Sequence, residues 1–434
     1  MNESSNELPN LSSRRRYTHP ALFGIIELPF SAAVGMLQLA IPFWLARQGL
    51  SIVEIGAVSA VGFMPHAWKF AWMPLLDTGW RRRTWFFIAT GIVAVFLAAV
   101  VLFPDPVHHL RAYTLLIVGA QVGAATTSSA VDALMALTAD PAQRGRAAGF
   151  KMAGNVGGIS VLGALLIWLN EFATPVTVGL VIVAITMASA ACGLFLADEP
   201  PFEAHAPGVT ALRAALVRVQ GIFVDLWATV KSRAGWTGIV ICAAPVGAGA
   251  LVNLLTGIAH DYQADAQLVE IVDGPVGGIL AATGAIIGGF VINRMNRRVA
   301  YCLFAGATAL CALAMAASPM SPTTYAAGSL SYRFFNGITM AAFAGMILEM
   351  VGQGRAVATT FTLFVAVSNQ AISVVTWLDG LGSTVNNMGA RGTVLTDAVL
   401  TFAGIGVVTA MFLLLKGRPA PGVPPHAPID TALR

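Results

Sequence analysis

The stretch PHAWKFAWMPLLDTGWRRR, residues 65–83, joins an apolar segment to a turn with consecutive arginines. Its first part is apolar except for His66 and Lys69. An apolar segment that stops at a cluster of arginines is typical of a helix that crosses a bilayer and ends at its surface, because charged side chains are costly in hydrocarbon. The stretch therefore predicts a membrane-spanning helix that ends near Asp77.

The composition of the whole chain leads to the same prediction. Of its 434 residues, 56% are hydrophobic and only 11% are charged, whereas a soluble domain usually carries about 25% charged residues. Apolar runs of about 20 residues, the length needed to cross a bilayer, recur along the chain. Backbone polar groups in lipid must be satisfied within the segment, so these runs predict helices. The expected fold class is an all-α membrane protein.

Twelve transmembrane helices are predicted, in two halves of six. The first six spans are 21–46, 52–76, 84–103, 112–138, 146–169 and 174–197, and the second six are 236–260, 266–292, 299–318, 323–351, 356–379 and 391–415. The predicted domains are an N-terminal tail at 1–20, a first half at 21–197, a linker at 198–235, a second half at 236–415 and a C-terminal tail at 416–434. Apolar residues at every third or fourth position of the linker predict an amphipathic helix on the membrane surface.

The basic residues predict the orientation of the chain. An even number of spans places both termini on one side, and most of the 25 Lys and Arg residues fall on that side. The positive-inside rule then predicts cytoplasmic termini, in a multi-pass protein of the inner membrane.

Each half carries a basic turn after its second span, DTGWRRR in the first half and NRMNRR in the second. Arginine side chains can bind the terminal carbonyls of a helix and a nearby carboxylate. The turns therefore predict a gating role, with ordinary positive-inside charge as the alternative. The predicted gating residues are Asp77, Arg81, Arg82, Arg83, Arg294, Arg297 and Arg298.

Glycines are concentrated in the fifth and eighth spans. Pairs such as Gly154 and Gly158, or Gly284 and Gly288, have the spacing that lets two helices approach closely. We expect both spans to pack closely against other helices.

Four stretches resemble one branch of the major facilitator superfamily, the muropeptide permeases and acetyl-CoA transporters. They are PHAWKFAWMPLLD at 65–77, SSAVDALMALTADPAQRGRAAGF at 128–150, YRFFNGITMAAFAGMILEM at 332–350 and ATTFTLFVAVSN at 358–369. The resemblance implies the major facilitator fold and secondary active transport of a small organic solute by alternating access, with proton coupling. It implies a muropeptide-like or other anionic metabolite as substrate.

Departures from the pattern leave alternatives open. Phe335 precedes Asn336 where an acidic residue is often found, and Leu134 and Met135 replace a Trp and a Lys. A siderophore importer of the same fold is one alternative, and a non-transporting assembly factor or sensor is another. No HExxH, GxSxG or Walker A motif occurs, so an enzyme is not expected. The expected partners are a small-molecule substrate, a proton and the lipid bilayer, with no cofactor, metal or nucleic acid, and the chain is expected to be a monomer.

Polar residues within the spans are the candidate binding groups. A charge at the bilayer centre costs about 2.5–3.5 kcal/mol on insertion scales, so it usually faces a cavity or a partner. Arg333 carries a planar guanidinium that suits a carboxylate or a phosphate. The residues predicted to bind substrate are Arg333, Asn336, Glu27, Asn369 and Gln370.

A second pair is predicted to couple transport to protons. Lys69 lies eight residues before Asp77, and Asp132 lies about six residues from the same end of its span, so at 1.5 Å per residue their depths are roughly 12 and 9 Å. Similar depth predicts a Lys69–Asp132 ion pair that opens when Asp132 takes a proton, with a static structural bridge as the alternative. Lys151 is expected either to extend to the surface or to act directly.

Overall fold

The computed structural model describes residues 17–50, 52–77, 80–199, 220–221, 224, 227, 230–231, 233–247, 249–351 and 357–415. These ranges contain helices and turns, with a single β-bridge between Thr18 and Ala139. The predicted linker helix lies almost entirely outside them, as do most of the N-terminal tail and the whole C-terminal tail. The side chain of Asp77 is also outside the described part.

The first half contains six spans, numbered in chain order. Span 1 comprises Pro20–Ile25, Leu28–Gly35, a π-helix at Met36–Ala40 and Ile41–Arg47. Span 2 comprises Ile52–Trp68 and two 3₁₀ turns, Lys69–Ala71 and Met73–Asp77. Spans 3 and 4 are Arg82–Val101 and Leu110–Thr138; span 5 comprises Arg144–Met152, a π-helix at Ala153–Gly157 and Gly158–Phe172; span 6 is Pro175–Cys192.

The second half also contains six spans. Span 7 is divided into Arg233–Ala243, Ala250–Asn253, Leu255–Ile258 and Ala259–Tyr262, and span 8 into Ala266–Asp273 and Pro275–Val291. Spans 9 to 12 are Arg297–Ala317, Pro322–Val351, Val357–Gly382 and Ala390–Leu415.

Within the described residues, ten helices are long and apolar enough to cross a membrane, by length and composition alone. The other two predicted spans, 2 and 7, are present as shorter segments. Span 2 carries Pro65 inside its helix, which then ends at Trp68; proline removes a backbone donor and disturbs the preceding turn. In span 7 the chain leaves the helix after Ala243 and passes through Gly247 and Gly249, with φ of 51° and 67°, a conformation that favours glycine.

The two halves share a core at one face of the bundle. This terminal face is the one at which span 1 begins and span 12 ends. One apolar cluster there combines Leu76 of span 2 and Leu134 of span 4 with Ile347 of span 10 and Phe361 of span 11. At the opposite face the clusters are separate, one built from spans 1 to 6 and the other from spans 7 to 10 and 12. The halves are therefore packed together at the terminal face.

Spans 5 and 8 show the close packing that their glycines predict, and they pack against each other. A Cβ placed on Gly149 would lie 2.6 Å from the carbonyl oxygen of Ala285 and 2.6 Å from Cα of Gly289. Further along, Gly278 of span 8 abuts Ser160 of span 5. Backbone therefore meets backbone across the two halves, and even a methyl group has no room at Gly149.

Candidate functional site

The first half encloses a buried cluster of charges between spans 1, 4 and 5. Nζ of Lys151 lies 3.2 Å from Oε1 of Glu27 and 3.0 Å from Oδ1 of Asp132. The three residues are 3%, 0% and 3% exposed, respectively. One ammonium group thus forms ion pairs with two carboxylates from two different helices. Lys151 does not extend to the surface.

A break in span 1 positions Glu27. The first helical segment ends at Ile25, and the second begins at Leu28 with Pro29 in its first turn. Proline lacks a backbone N–H and cannot continue the earlier hydrogen-bond ladder. Ser128 Oγ donates to Glu27 Oε1 at 2.7 Å, and Asn155 Nδ2 donates to the same oxygen at 2.9 Å. Glu27 is therefore held by groups from spans 4 and 5.

A π-helical turn in span 5 lies directly beside the cluster. The turn covers Ala153–Gly157 and disturbs the regular ladder, as π turns do, often at functional sites. Ser31 of span 1 donates from Oγ to the Gly154 carbonyl at 2.8 Å. Gly154 in turn packs against the backbone of Gly24. Small residues thus bring spans 1 and 5 close enough for Glu27 to reach Lys151.

Asp132 pairs with a different lysine from the one predicted. Asp132 pairs with Lys151, and none of the ion pairs between described residues includes Lys69. The predicted depth of Lys69 holds only if span 2 is a continuous helix, but the helix ends at Trp68 and Lys69 begins a 3₁₀ turn. Lys69 is nevertheless buried and lies within electrostatic range of Asp132 and Glu27. Two cations, Lys69 and Lys151, therefore lie near the two carboxylates, and of these cations only Lys151 forms ion pairs with them.

Polar contacts between spans 1, 2 and 4 lie beside this cluster. His66 Nε2 lies 2.9 Å from Gln121 Oε1, and Gln121 Nε2 donates to the Ala33 carbonyl at 2.8 Å. Trp72 Nε1 donates to Thr126 Oγ1 at 3.0 Å. Sequence reasoning missed Gln121, although a glutamine deep in an apolar run is a signal for such a contact, because a buried amide needs partners.

The second half contains a separate, partly buried ion pair. Arg333 Nη2 lies 2.9 Å from Asp273 Oδ1, while Tyr325 and Thr256 donate to Oδ2 of the same aspartate at 2.8 and 2.7 Å. Nε of Arg333 is buried without a hydrogen-bond partner. Arg333 is thus engaged by Asp273, and an anionic ligand would have to compete with that carboxylate.

The other residues predicted to bind substrate lie in different surroundings. Asn336 of span 10 donates to the Gly247 carbonyl at 3.4 Å and packs against Gly249, so it supports the break in span 7. On span 11, Asn369 is half-buried and Gln370 is exposed. Glu27 belongs to the cluster of the first half. The predicted set therefore divides between the two halves, and its role in substrate binding stays a prediction.

The first basic turn holds the ends of spans 3 and 6. The backbone N–H groups of Arg82 and Arg83 donate to the two carboxylate oxygens of Glu199, at 2.9 and 2.8 Å. The Arg83 guanidinium donates to the carbonyls of Leu196 and Ala197. Glu199 thus caps the start of span 3, while Arg83 binds carbonyls just beyond span 6. Arg81 is exposed.

The second basic turn makes different contacts. Arg297 Nη1 lies 3.2 Å from Glu349 Oε2, which joins spans 9 and 10. Arg298 lies over the ring of Phe412 at 5.0 Å, and Arg294 is exposed. Each turn thus fastens helices within its own half. The gating role of these residues stays a prediction.

A bundle of membrane-spanning helices in two halves, with an ion pair or ion cluster inside each half, is typical of a multi-pass membrane transporter. The profile of the Major Facilitator Superfamily matches residues 23–376. The chain belongs to this family, whose members are transporters and not enzymes.

Sequence relatives cover part of the chain. The anhydromuropeptide permease of Escherichia coli K12 is 25% identical over 275 residues, which are 62% of this chain and 53% of the permease. An uncharacterized protein of Haemophilus influenzae is 38% identical over 80 residues, 17% of this chain and 18% of that protein. The chain therefore spans about half the length of the permease and less of the second relative.

Solved structures match nearly the whole length. The proton:xylose symporter XylE has a TM-score of 0.69 at 12% identity, covering 91% of this chain and 94% of the symporter. The human organic anion transporter TETRAN has a TM-score of 0.66 at 15% identity, with coverage of 89% and 98%. FucP in the outward conformation has a TM-score of 0.65 at 13% identity, with coverage of 90% and 98%. These likenesses show the fold.

Proposed function

We propose that this transporter is proton-coupled and moves a muropeptide-like or other anionic metabolite across the inner membrane, with both termini in the cytoplasm. The observation that carries the proposal is the cluster of Lys151 with Glu27 and Asp132. The transport class follows from the family; the coupling ion and the substrate are the proposal.

The cluster has the properties of a proton switch. Two carboxylates that share one ammonium group compete for it, so protonation of one leaves Lys151 to the other. Breaking a buried ion pair leaves an uncompensated charge, which is costly unless the surroundings rearrange. Glu27, Asp132 and Lys151 belong to spans 1, 4 and 5. Proton binding would therefore loosen the contact among these three helices and favour a different packing of the first half.

Lys69 gives this switch a second electrostatic partner. It is buried beside the cluster without an ion pair to a described residue, and it lies within range of both carboxylates. A lysine that approaches Asp132 as Lys151 moves toward Glu27 would keep the charges compensated. In this way Lys69 and Asp132 retain their proposed part in proton coupling, through a rearrangement of the cluster.

The anionic substrate class has two supports. The first is the permease relative of Escherichia coli, whose name specifies an anhydromuropeptide. The second is Arg333, whose Nε is buried without a hydrogen-bond partner while Nη2 binds Asp273. A carboxylate of the substrate could occupy this guanidinium when Asp273 is displaced, because the planar fork accepts two oxygens. A ferric siderophore is the second candidate substrate, because the residues that depart from the permease pattern count against a muropeptide.

Uptake by proteoliposomes tests the proposal. Purified protein is reconstituted, and accumulation of a labelled anhydromuropeptide is measured with and without an imposed proton gradient. We expect gradient-driven accumulation by the native protein. Asp132→Asn and Glu27→Gln should lose accumulation but keep exchange of internal for external substrate, because exchange needs no net proton movement.

Glu171→Gln is the matched control, since Glu171 is a carboxylate that is 40% exposed and pairs with Arg47 at the membrane surface. It should transport like the native protein. Accumulation with unchanged pH dependence in both cluster variants would refute the coupling. Uptake of a ferric siderophore but not of the muropeptide would refute the proposed substrate and leave the proposed proton coupling untouched. Binding without transport of any candidate would favour an assembly factor or sensor.

A further inference from the structure

Two buried acids in the second half lie apart from the Lys151 cluster and from the Arg333–Asp273 ion pair. Asp379 belongs to span 11 and Asp397 to span 12. They are 0% and 1% exposed, respectively. Buried carboxylates are usually paired with a cation or protonated, because an isolated charge is costly in an apolar environment.

A close crossing of spans 11 and 12 brings the two acids to the same level. A Cβ placed on Gly382 would lie 2.7 Å from the Gly392 carbonyl oxygen and 2.9 Å from Cβ of Thr396. Asp379 precedes Gly382 by about one helical turn, and Asp397 directly follows Thr396. The helices run in opposite directions, so Asp379 faces the turn that carries Asp397, and the two carboxyl groups interact electrostatically.

The two acids have different hydrogen-bond partners. The hydroxyl group of Tyr332, on span 10, lies 3.1 and 3.0 Å from the two oxygens of Asp397. The backbone N–H of Leu251, on span 7, also faces Asp397. Both oxygens of Asp379 are buried without a hydrogen-bond partner. Asp397 is thus held as an acceptor, while no described residue donates a hydrogen bond to stabilise a negative charge on Asp379.

No cation compensates this pair within the described part of the chain, where neither acid takes part in an ion pair. Arg333 follows Tyr332 in sequence but is directed to Asp273. Among the described residues, the titratable groups that interact with the two acids are Tyr332 and the acids themselves.

We propose that Asp379 and Asp397 form a proton-binding site of the second half, in which Asp379 carries the proton and Asp397 is the acceptor held by Tyr332. Two adjacent buried carboxyl groups without a cation do not both ionise, because the like charges repel and neither is solvated. The less stabilised one, Asp379, takes the proton. The site is distinct from the cluster of Lys151, and it does not depend on whether that cluster couples transport.

The site is buried, but it lies near one face of the helix bundle. Asp379 lies three residues before the end of span 11 at Gly382, which is roughly 4–5 Å along a helix. That end is at the face opposite to the termini. We therefore expect the site to exchange its proton with the solution at the opposite face.

Infrared spectroscopy of the purified protein tests this assignment through the carbonyl band of protonated carboxylic acids. We expect the native protein to show this band at neutral pH and to lose it in a single step when the pH is raised, by titration of a single acid. Asp379→Asn should remove the band. Tyr332→Phe should retain it at a shifted frequency, because the hydrogen bond to Asp397 is lost.

Asp105→Asn is the control, since Asp105 lies in the exposed loop between spans 3 and 4, where the hydrogen bonds from His108 lower the pKa of its carboxyl group. It should leave the band unchanged. A band that survives Asp379→Asn at full intensity, or that does not titrate up to about pH 10, would overturn the assignment. A band abolished by sodium at constant pH would show a metal-ion site in place of a proton site. None of these readouts requires transport, so the outcome is separate from that of the uptake assay.

Discussion

Replacement of Lys151 by methionine tests how much the buried cluster of the first half contributes to the stability of the fold. Methionine has similar length and keeps the apolar packing, but it removes the ammonium group that joins Glu27 to Asp132. The variant leaves two buried carboxylates with Lys69 as the remaining nearby cation. We expect a large loss of stability at neutral pH.

The magnitude follows from the two distances of 3.2 and 3.0 Å. With an effective dielectric constant of about 20, each pair contributes roughly 5 kcal/mol of gross attraction. The cost of burying the charges offsets much of this sum. Breaking a buried pair by removing one partner typically costs about 3–5 kcal/mol. The equilibrium constant for unfolding should therefore rise by a factor of about 10² to 10⁴.

The pH dependence of unfolding distinguishes a charge effect from a packing effect. In the variant, a carboxyl group that has lost Lys151 can bind a proton in the folded state. In the unfolded chain the same carboxyl group is ionised at neutral pH. The folded state then binds one more proton, so its stability falls as the pH rises, by about 1.4 kcal/mol per pH unit. Thermal unfolding in detergent, followed at several pH values by circular dichroism, measures this slope.

Two further variants complete the test. Adding Glu27→Gln to Lys151→Met should recover much of the loss, since Asp132 then has Lys69 as its partner. Arg47→Met should cost only about 0–1 kcal/mol, because its pair with Glu171 lies at the surface with side chains 59% and 40% exposed. If Lys151→Met is as stable as the native protein and shows no added pH slope, the cluster does not stabilise the fold by charge pairing.

Three other substitutions have defined outcomes. Gly149→Ala places a methyl group against the backbone of Gly289, so we expect a loss of about 1–3 kcal/mol in unfolding experiments, whereas Gly406→Ala, which meets nothing within 4 Å, should be neutral or slightly stabilising. Glu199→Ala removes the cap of span 3 and should cost about 0.5–2 kcal/mol in the same measurement; an unchanged midpoint would refute the capping role. Arg333→Ala should nearly abolish uptake and Arg333→Lys should weaken it, at equal protein levels in the membrane; normal uptake by the alanine variant would exclude Arg333 from the site.

The positions of the spans could be predicted from the sequence because the bilayer sets a length that apolar runs must meet. Span 4 was expected at 112–138 and is Leu110–Thr138, and span 9 was expected at 299–318 and is Arg297–Ala317. Close packing of spans 5 and 8 could also be predicted, since small residues at fixed spacing favour it; that these two spans pack against each other follows only from the fold that the family resemblance implies. Breaks inside spans were harder to predict, because proline and glycine also occur in continuous membrane helices.

The charged residues of the candidate site can be recognised in the sequence, but their pairing cannot. Glu27, Lys69, Asp132 and Lys151 are all recognisable in the sequence as charges within apolar runs. Their depths, counted along each helix, gave Lys69 as the partner of Asp132. The structure gives Lys151, because residue counting yields only a position along one helix axis.

The sequence by itself therefore determined which residues are buried in the membrane and that their charges require compensation, since both follow from local composition and the properties of hydrocarbon. The tertiary structure decided which charge compensates which. That choice depends on the rotation of each helix about its axis and on its neighbours, and here both are set by distant features. The break before Pro29 and the contact of Gly24 with Gly154 place Glu27 against span 5. The end of the span 2 helix at Trp68 leaves Lys69 outside the pair. The contacts of span 1 with span 5 join residues more than a hundred positions apart, and Asp132 and Lys151 lie on different helices, so no local pattern could contain these pairings.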